Sequence, residues 1–258
     1  MKVYIQSTRD SMPKSVNYYT AYSGFRDLGF ETKPFCELSE LDGCRPDDLI
    51  AGGIGAVIKK LSDYQIEVPE LDYPAELDQY LGRKISESTL DRVLSDESLW
   101  PVFIKPVRDK AFTGFVLKNE KDLPKFSGCT EKEPVLCSEV VDFQAEWRVF
   151  VRYGKILDVR PYFGDWRQSF DARIIEQAVA DYSTAPAGFA MDFGVTDRGE
   201  TRLVEVNDGF SLGCYGLEPI LYARLLCARW SELVGVADEC DTFFEGSEWK
   251  QHRFEVIE

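Results

Sequence analysis

Two acidic side chains and one amide lie on neighbouring strand-like segments in the C-terminal third of the sequence. Residues 191 to 208 read MDFGVTDRGETRLVEVND, in which Asp192 precedes Glu205 and Asn207. Apolar and polar residues alternate on both flanks, which predicts two strands, and TDRGE between them has the Asp and Gly of a tight turn. The segment is therefore predicted to be a β-hairpin.

The predicted hairpin places oxygen-bearing side chains close together. Pairing across the turn puts Glu205 opposite Asp192, and alternation puts Leu203, Glu205 and Asn207 on one face of the second strand. Adjacent carboxylates repel each other unless a cation lies between them. Carboxylate and amide oxygens suit Mg²⁺, which leaves its other positions to water and substrate phosphates. The alternative is an exposed hairpin with solvated acids, because charged strand residues mostly face water.

Composition and charge limit the class of protein. The chain has 258 residues, of which 44% are hydrophobic and 29% charged, as is typical of globular proteins. The formal net charge of −15 argues against broad nucleic-acid binding, which depends on Lys and Arg that neutralise phosphates. No apolar run approaches the roughly 20 residues that span a bilayer, and the first ten residues lack the apolar core of a secretory signal. We therefore expect a soluble, cytoplasmic protein that binds neither nucleic acid nor membrane.

Cysteine and histidine usage argues against several kinds of catalytic site. The seven cysteines are scattered, without the C-x-x-C pair of a zinc or redox motif. A catalytic cysteine or serine usually needs a histidine partner, and the only histidine in the sequence is His252. We therefore expect reduced thiols and a reaction without a protein nucleophile.

Strand and helix signals alternate in the N-terminal part of the chain. The strand-like KVYI is followed by a helical stretch that ends at Gly29, and then by FETKPF and DDLIA. GGIG lacks the full G-x-G-x-x-G spacing of a dinucleotide site, so we interpret it as a turn that packs closely or faces a substrate. Helices are expected in AELDQYLGRK and in ESTLDRVL, the second capped by Ser86 or Ser88.

The remaining elements carry most of the charged candidates. WPVFIKPV predicts a buried strand that contains Lys105, and a buried Lys needs a partner. From residue 136, two alternating strands are joined by a turn at YGK, and residues 171 to 182 form an amphipathic helix. The hairpin follows, and then the loop DGFSLGCYG and a long apolar helix.

Four motifs, in order, resemble the ATP-grasp superfamily: FIKPVRDKAFTG, CSEVVDFQAE, EWRVFVRYGKILDVRPY and the hairpin at residues 191 to 208. The likeness runs from about Arg83 to about Val234 and is nearest to the R2K clade. It implies an α+β fold in which two subdomains, at 83–138 and 139–238, clamp ATP and two Mg²⁺ ions. Residues 1–82 would form the preceding α/β domain, and residues 239–258 stay an unassigned tail.

The resemblance also implies roles for individual residues. Lys105 would contact the phosphates, together with Lys110 and Thr113 of the loop that closes over them. The hinge is similar to that of D-alanine:D-alanine ligases, and the third motif to the central hairpin of ribosomal-protein glutamate ligases. Adenine contacts would come from Glu139, Val140 and Val141, the ribose contact from Glu146, further phosphate contacts from Arg160 and Arg148, an earlier ATP-binding cation from Arg83 or Lys84, and metal ligands from Asp192, Glu205 and Asn207. For Arg148 a strand-face salt bridge is the alternative.

The function implied is an ATP-dependent ligase that activates a carboxylate as an acyl phosphate and joins it to an amine or thiol. Lys105 and Arg160 would offset the charge that develops during phosphoryl transfer. D-alanine ligases carry an Arg where this chain has Ala190, so Arg160, Arg173 or another cation would have to steady the tetrahedral intermediate. The alternatives are an ATP-binding module without ligase activity and a small-molecule kinase.

The substrate is expected between the N-terminal unit and the loop DGFSLGCYG. Asp208, Ser211 and Tyr215 are the candidate contacts in that loop. A small molecule or a peptide would supply the carboxylate, and an amine would be the second substrate.

Overall fold

The N-terminal unit is a small parallel sheet with helices. The computed structural model describes residues 1–107, 112–130 and 132–241. The sheet has the order β2-β1-β3. Its elements in chain order are β1 (Lys2–Gln6), α1 (Val16–Asp27), β2 (Glu31–Phe35), β3 (Leu49–Ala51) and α2 (Ile54–Asp63). The Ser15 side chain accepts a hydrogen bond from the amide of Tyr18 and caps α1, and Gly29, just past the end of this helix, has a positive φ of 83°.

An antiparallel sheet in the order β4-β7-β5-β6 follows a short linker. A 3₁₀ turn (Ala75–Leu77) and the four-residue helix α3 (Asp78–Leu81) lead into it. Its elements are β4 (Ile85–Thr89), α4 (Leu90–Ser95), β5 (Val102–Pro106), β6 (Phe115–Leu117) and β7 (Pro134–Ser138). The helix predicted in ESTLDRVL is therefore wrong in its first half, because Glu87 to Thr89 pair with β7. The residue that precedes the helix is Thr89, not the predicted Ser86 or Ser88.

The second antiparallel sheet has the order β11-β10-β8-β9 and carries the predicted hairpins. Tyr153 and Gly154 both have positive φ, 47° and 67°, and this two-residue connection is the kind that matches the twist of paired strands. The elements are β8 (Phe143–Arg152), β9 (Lys155–Gly164), α5 (Ala172–Asp181), β10 (Gly188–Thr196), β11 (Thr201–Asp208) and α6 (Pro219–Val234).

A bulge in the β10–β11 hairpin changes the predicted face of one residue. Asp192 pairs with Glu205 as predicted, but the next residue, Phe193, pairs with Leu203. The extra residue in β11 turns Leu203 into the apolar core beside Phe193 while Glu205 stays beside Asp192. The expectation that Leu203 shares a face with Glu205 is therefore wrong.

Helix α6 joins the N-terminal unit to the second antiparallel sheet. One apolar core contains residues of β1, β3 and α1, residues of α6, and Phe150 and Ala190 from the second sheet. Helices α1 and α6 pack so closely that a Cβ at Gly24 would lie 1.9 Å from the carbonyl oxygen of Pro219. In the described part of the chain, none of the helices has the length and apolarity to cross a membrane.

A matched pair of glycine substitutions tests this packing. Gly24→Ala should destabilise the protein by about 1–3 kcal/mol, because the added methyl group overlaps the α6 backbone. Gly55→Ala in α2 should be neutral or stabilise it by up to about 1 kcal/mol, since nothing lies within 4 Å of the new Cβ and Ala favours helix. Urea unfolding measures both changes. Equal stability of the two variants would contradict the close contact.

Candidate functional site

The three predicted metal ligands converge on one point of the second sheet. The Asn207 Nδ2 donates to Asp192 Oδ2 at 3.1 Å and to Glu205 Oε1 at 3.4 Å. The Asp192 side chain is almost completely buried, and β10 and β11 hold the two carboxylates in direct register. Rotating the Asn207 amide by 180° would present its oxygen at the same point. The donor set, two carboxylates and one amide oxygen, therefore fits a hard cation such as Mg²⁺.

Arg148 holds Asp192 from the neighbouring strand. Its Nε donates to Asp192 Oδ1 at 2.8 Å, and a terminal nitrogen donates to Oδ2 at 2.6 Å. Burial raises the pKa of Asp192, and the hydrogen bonds from Arg148 oppose that rise. The salt bridge considered as the alternative for Arg148 is therefore present, and its partner is a candidate metal ligand.

Lys105 reaches across from the first antiparallel sheet to the same cluster. Its ammonium group lies 2.9 Å from Glu205 Oε2 and 2.9 Å from Asp72 Oδ2, and 4.7 Å from the centre of the Tyr73 ring. Burial by itself would lower the pKa of Lys105, but the charges of Glu205 and Asp72 raise it above its ordinary value. The half-buried Lys105 thus has the partners that its position in an apolar strand required.

Asp72 is a site residue that the sequence analysis missed. It lies in the linker between the N-terminal unit and the first antiparallel sheet, and its carbonyl oxygen accepts a hydrogen bond from the amide of Val206 at 2.9 Å. Burial raises the pKa of its carboxyl group, while the Lys105 charge opposes this shift. The signal available in the sequence was Lys105 itself, because a lysine in an apolar strand requires an acid nearby.

Two tyrosines lie beside the guanidinium of Arg148, and one of them, Tyr162, was not predicted as a site residue. Tyr162 and Tyr215 stack with ring centres 4.9 Å apart, and the Arg148 guanidinium carbon lies 4.9 Å from the centre of the Tyr215 ring. The Tyr162 hydroxyl donates to Glu146 at 2.5 Å. Burial raises the pKa of Glu146. The predicted ribose contact, the metal ligands and the candidate substrate residue Tyr215 are therefore linked through one set of contacts.

The predicted adenine contacts surround the hinge. The Glu139 carboxylate accepts a hydrogen bond from the amide of Lys84 at 2.6 Å. The Arg83 guanidinium donates to the carbonyl oxygens of Leu203 and Val204 in β11, at 2.8 and 2.6 Å. Val140 is exposed and Val141 half-buried. The structure therefore brings Glu139 of the hinge next to Lys84, and it places Arg83 against β11.

The other predicted cations take different positions. Arg160 pairs with Arg148 in the β8–β9 register, so it stands next to the cluster, and it forms an ion pair with Asp158 at 2.5 Å. Arg173 is 83% exposed at the start of α5 and forms an ion pair with Asp171. The structure does not bring Arg173 to the metal ligands.

The phosphate loop is described only in part. Lys110 lies outside the described residues. Thr113 is exposed just before β6. Their predicted contacts with phosphates stay predictions.

The predicted substrate loop closes a small cavity against the N-terminal unit. The cavity has a volume of about 160 Å³, and Gly52, Gly53, Tyr18 and Ser211 line it. The Ser211 hydroxyl donates to the carbonyl oxygen of Gly52 at 2.6 Å. The GGIG turn therefore faces the cavity that the loop forms.

Asp208, in contrast, has a structural partner. The guanidinium of Arg229 on α6 donates to both of its carboxylate oxygens, at 2.7 and 2.6 Å. Burial raises the pKa of Asp208, and Arg229 opposes the rise. This ion pair ties the end of β11 to α6, which positions the loop that follows.

Comparisons with solved structures give the same fold. D-alanine–D-alanine ligase from Bacillus anthracis complexed with ATP aligns with a TM-score of 0.55 at 15% identity, covering 91% of this chain and 96% of that one. L-amino acid ligase from Bacillus licheniformis aligns with a TM-score of 0.56 at 10% identity, covering 90% and 75%. The ATP-grasp ligase PsnB complexed with minimal precursor gives 0.52 at 15% identity, covering 89% and 98%. These likenesses confirm the predicted α+β ATP-grasp fold.

A comparison with family models identifies the family. A sequence search of curated proteins found no match. The model described as ATP-grasp domain, R2K clade family 2, matches residues 80–225, which is more than half of the chain. The match includes β5 with Lys105, the hinge and the whole β10–β11 hairpin. The chain therefore belongs to the R2K clade of ATP-grasp proteins, in its family 2.

Proposed function

We propose that the protein is an ATP- and Mg²⁺-dependent ligase that activates a substrate carboxylate as an acyl phosphate and joins it to an amine. The observation that carries this proposal is the convergence of Asp192, Glu205 and Asn207 beneath Lys105. Three oxygen-bearing side chains on one sheet and an ammonium group from the other form a cluster whose chemistry suits a metal-bound triphosphate. Bound Mg²⁺ would neutralise the β- and γ-phosphates during phosphoryl transfer.

Lys105 exchanges partners when the nucleotide binds. The charge of Lys105 is balanced by Glu205 and Asp72. Phosphate oxygens would replace one of these carboxylates, and Glu205 would then be free for the metal. Lys105 thereby offsets negative charge on the phosphoryl group as it moves to the substrate carboxylate.

Arg148 is the cation that we assign to the tetrahedral intermediate. Ala190, where an Arg would stand in D-alanine ligases, is fully buried in the apolar core shared with α6. Arg148 is on the neighbouring strand β8, opposite Asp192 and therefore two residues from the partner of Ala190. It forms an ion pair with Asp192, and its guanidinium lies over the ring of Tyr215 in the predicted substrate loop. It therefore faces the place where the acyl phosphate and the amine would meet, and Arg160 stands beside it.

The substrates are expected to be small molecules or peptides. The similar solved structures include a D-alanine–D-alanine ligase, an L-amino acid ligase and the ATP-grasp ligase PsnB complexed with minimal precursor. The cavity at Gly52 and Ser211 is small, which favours a compact carboxylate there. No side chain of this chain is required as a nucleophile.

An ATP-binding module without ligase activity is the second candidate. The buried Ala190 favours it, because the position cannot supply a charge to the reaction. Release of ADP that depends on an added amino acid or peptide would support the ligase. ATP binding without such release across a broad panel of acceptors would support the module.

Removal of two metal ligands tests the nucleotide site. Calorimetric titration with Mg²⁺ and a non-hydrolysable ATP analogue should show binding to the wild-type protein, weakened at least tenfold in Glu205→Gln with Asn207→Ala, because two of the three oxygen ligands are changed. Glu200→Gln is the matched control, since Glu200 is exposed in the same hairpin and its described ion pair is with Arg202. It should bind like the wild type. Equal binding by all three proteins would place the metal elsewhere.

Substitution of Asp72 tests the exchange of partners by Lys105. Asp72→Asn should tighten binding of the Mg²⁺-bound analogue about 3- to 10-fold, on the order of 1 kcal/mol, because a carboxylate that competes with the phosphates loses its charge. Lys105→Met should weaken binding at least tenfold. Asp78→Asn, at the exposed first residue of α3, is the control and should leave affinity unchanged. Weaker binding by Asp72→Asn would show that Asp72 helps to hold the nucleotide instead.

A further inference from the structure

A buried pair of thiols lies where the chain returns along α6. Cys227 is on α6, and Cys240 is in the segment that follows this helix; both are 0% exposed. The two sulfur atoms and one carboxylate oxygen of Asp238 all lie within 4.8 Å of one another. These three residues are called the thiol cluster below. It lies apart from the β10–β11 hairpin that carries the candidate metal ligands, called the metal hairpin below. It is on the side of β8 that α6 covers.

Hydrogen bonds position Asp238 and Cys240 in the segment that follows α6, which is called the returning segment below. Helix α6 ends at Gly235, which has a positive φ of 70°, and the amide of Val236 donates to the carbonyl oxygen of Ser231 at 2.9 Å. The amide of Cys240 then donates to Asp238 Oδ1 at 2.8 Å. This last bond brings the Asp238 carboxylate and the Cys240 thiol to the same side of the turn.

The charge of Asp238 is already balanced by a buried arginine. The guanidinium of Arg152, at the end of β8, donates to Asp238 Oδ2 at 2.7 Å and to Asp241 Oδ1 at 3.0 Å. The Tyr153 hydroxyl donates to the same Asp238 oxygen at 3.0 Å. A hydrogen bond with Cys240, together with burial, raises the pKa of Cys227. Exchange of two thiol protons for one divalent cation leaves the net charge of the cluster unchanged.

Further donor atoms surround Cys227. The thioether sulfur of Met1 and the hydroxyl oxygen of Ser231 each lie 4.0 Å from the Cys227 sulfur. Two sulfur ligands of a tetrahedral zinc ion, each about 2.3 Å from the metal, are about 3.8 Å apart. The ligand atoms of the thiol cluster, all within 4.8 Å of one another, are close enough together to share one such ion. Thiolates select this kind of ion over Mg²⁺.

We propose that Cys227, Cys240 and Asp238 bind a thiophilic divalent cation of the Zn²⁺ type. Binding releases both thiol protons to solvent and forms two metal–thiolate bonds, with no change of oxidation state. The fourth position belongs to the Met1 thioether, the Ser231 hydroxyl or a water molecule. The ion would fasten the returning segment to α6. Through Arg152 it would also fasten that segment to β8, the strand that carries Arg148.

Cobalt spectroscopy tests the site on the full chain. The reduced protein, stripped of metal by a chelator and kept without oxygen, is titrated with Co²⁺. A thiolate-to-cobalt absorption band that saturates at one equivalent and is displaced by Zn²⁺ is the expected result. Co²⁺ bound at the oxygen ligands of the metal hairpin gives no such band, so the two sites are distinguishable.

Cysteine variants locate the band. Cys227→Ser and Cys240→Ser should each lower the Co²⁺ affinity at least 100-fold and remove the rise in Tm that Zn²⁺ produces in the wild type. Cys129→Ser, in the first antiparallel sheet region, is the control and should behave like the wild type. Circular dichroism verifies folding, and Cys240→Ser remains informative if Cys227→Ser fails to fold. A wild type that gives no thiolate band, or whose band survives in the Cys240→Ser variant, would overturn the proposal.

Discussion

The ion pair between Asp192 and Arg148 is the constraint around which the second sheet is arranged. A carboxylate in the middle of a sheet is costly to bury unless hydrogen bonds and an opposite charge compensate it. Arg148 supplies both from the adjacent strand, and Asn207 adds a third hydrogen bond. Because both partners are buried, loss of either would leave an uncompensated charge, so the pair holds β8 and β10 in one register. Glu205 is thereby carried to the same point.

Charge from the rest of the chain is organised around this pair. Lys105 arrives from the first antiparallel sheet and Asp72 from the linker, so three parts of the chain meet at one cluster of alternating sign. Two further ion pairs, Arg229–Asp208 and Arg152–Asp238, each join a strand end of the second sheet to α6 or to the segment after it. The core that α6 shares with the N-terminal unit holds the predicted substrate loop against the GGIG turn. The site therefore depends on contacts between residues that are far apart in sequence, whereas each helix and strand is specified by its own local sequence.

The sequence predicted what depends on local patterns. Alternation and turn residues located both hairpins, and residue types with family spacing identified the ATP-grasp fold and its R2K clade. Leu203 was placed on the wrong face because a bulge has no signal in an alternating strand. Residues Glu87 to Thr89 were taken for helix because only their pairing with β7 reveals the strand Ile85–Thr89. Asp72, Tyr162 and the cysteine pair were missed because each acts with residues far away in sequence, and a single sequence does not show which distant residues meet.

The most direct test of this account is a crystal structure with Mn²⁺ and a non-hydrolysable ATP analogue, using the anomalous signal of manganese. The account predicts a manganese peak about 2.1–2.3 Å from oxygens of Asp192, Glu205 and Asn207, with Lys105 moved from Asp72 to the phosphates. It also predicts that Arg148 still contacts Asp192. A manganese peak away from these three residues, or a nucleotide bound with Lys105 still paired to Asp72, would contradict it.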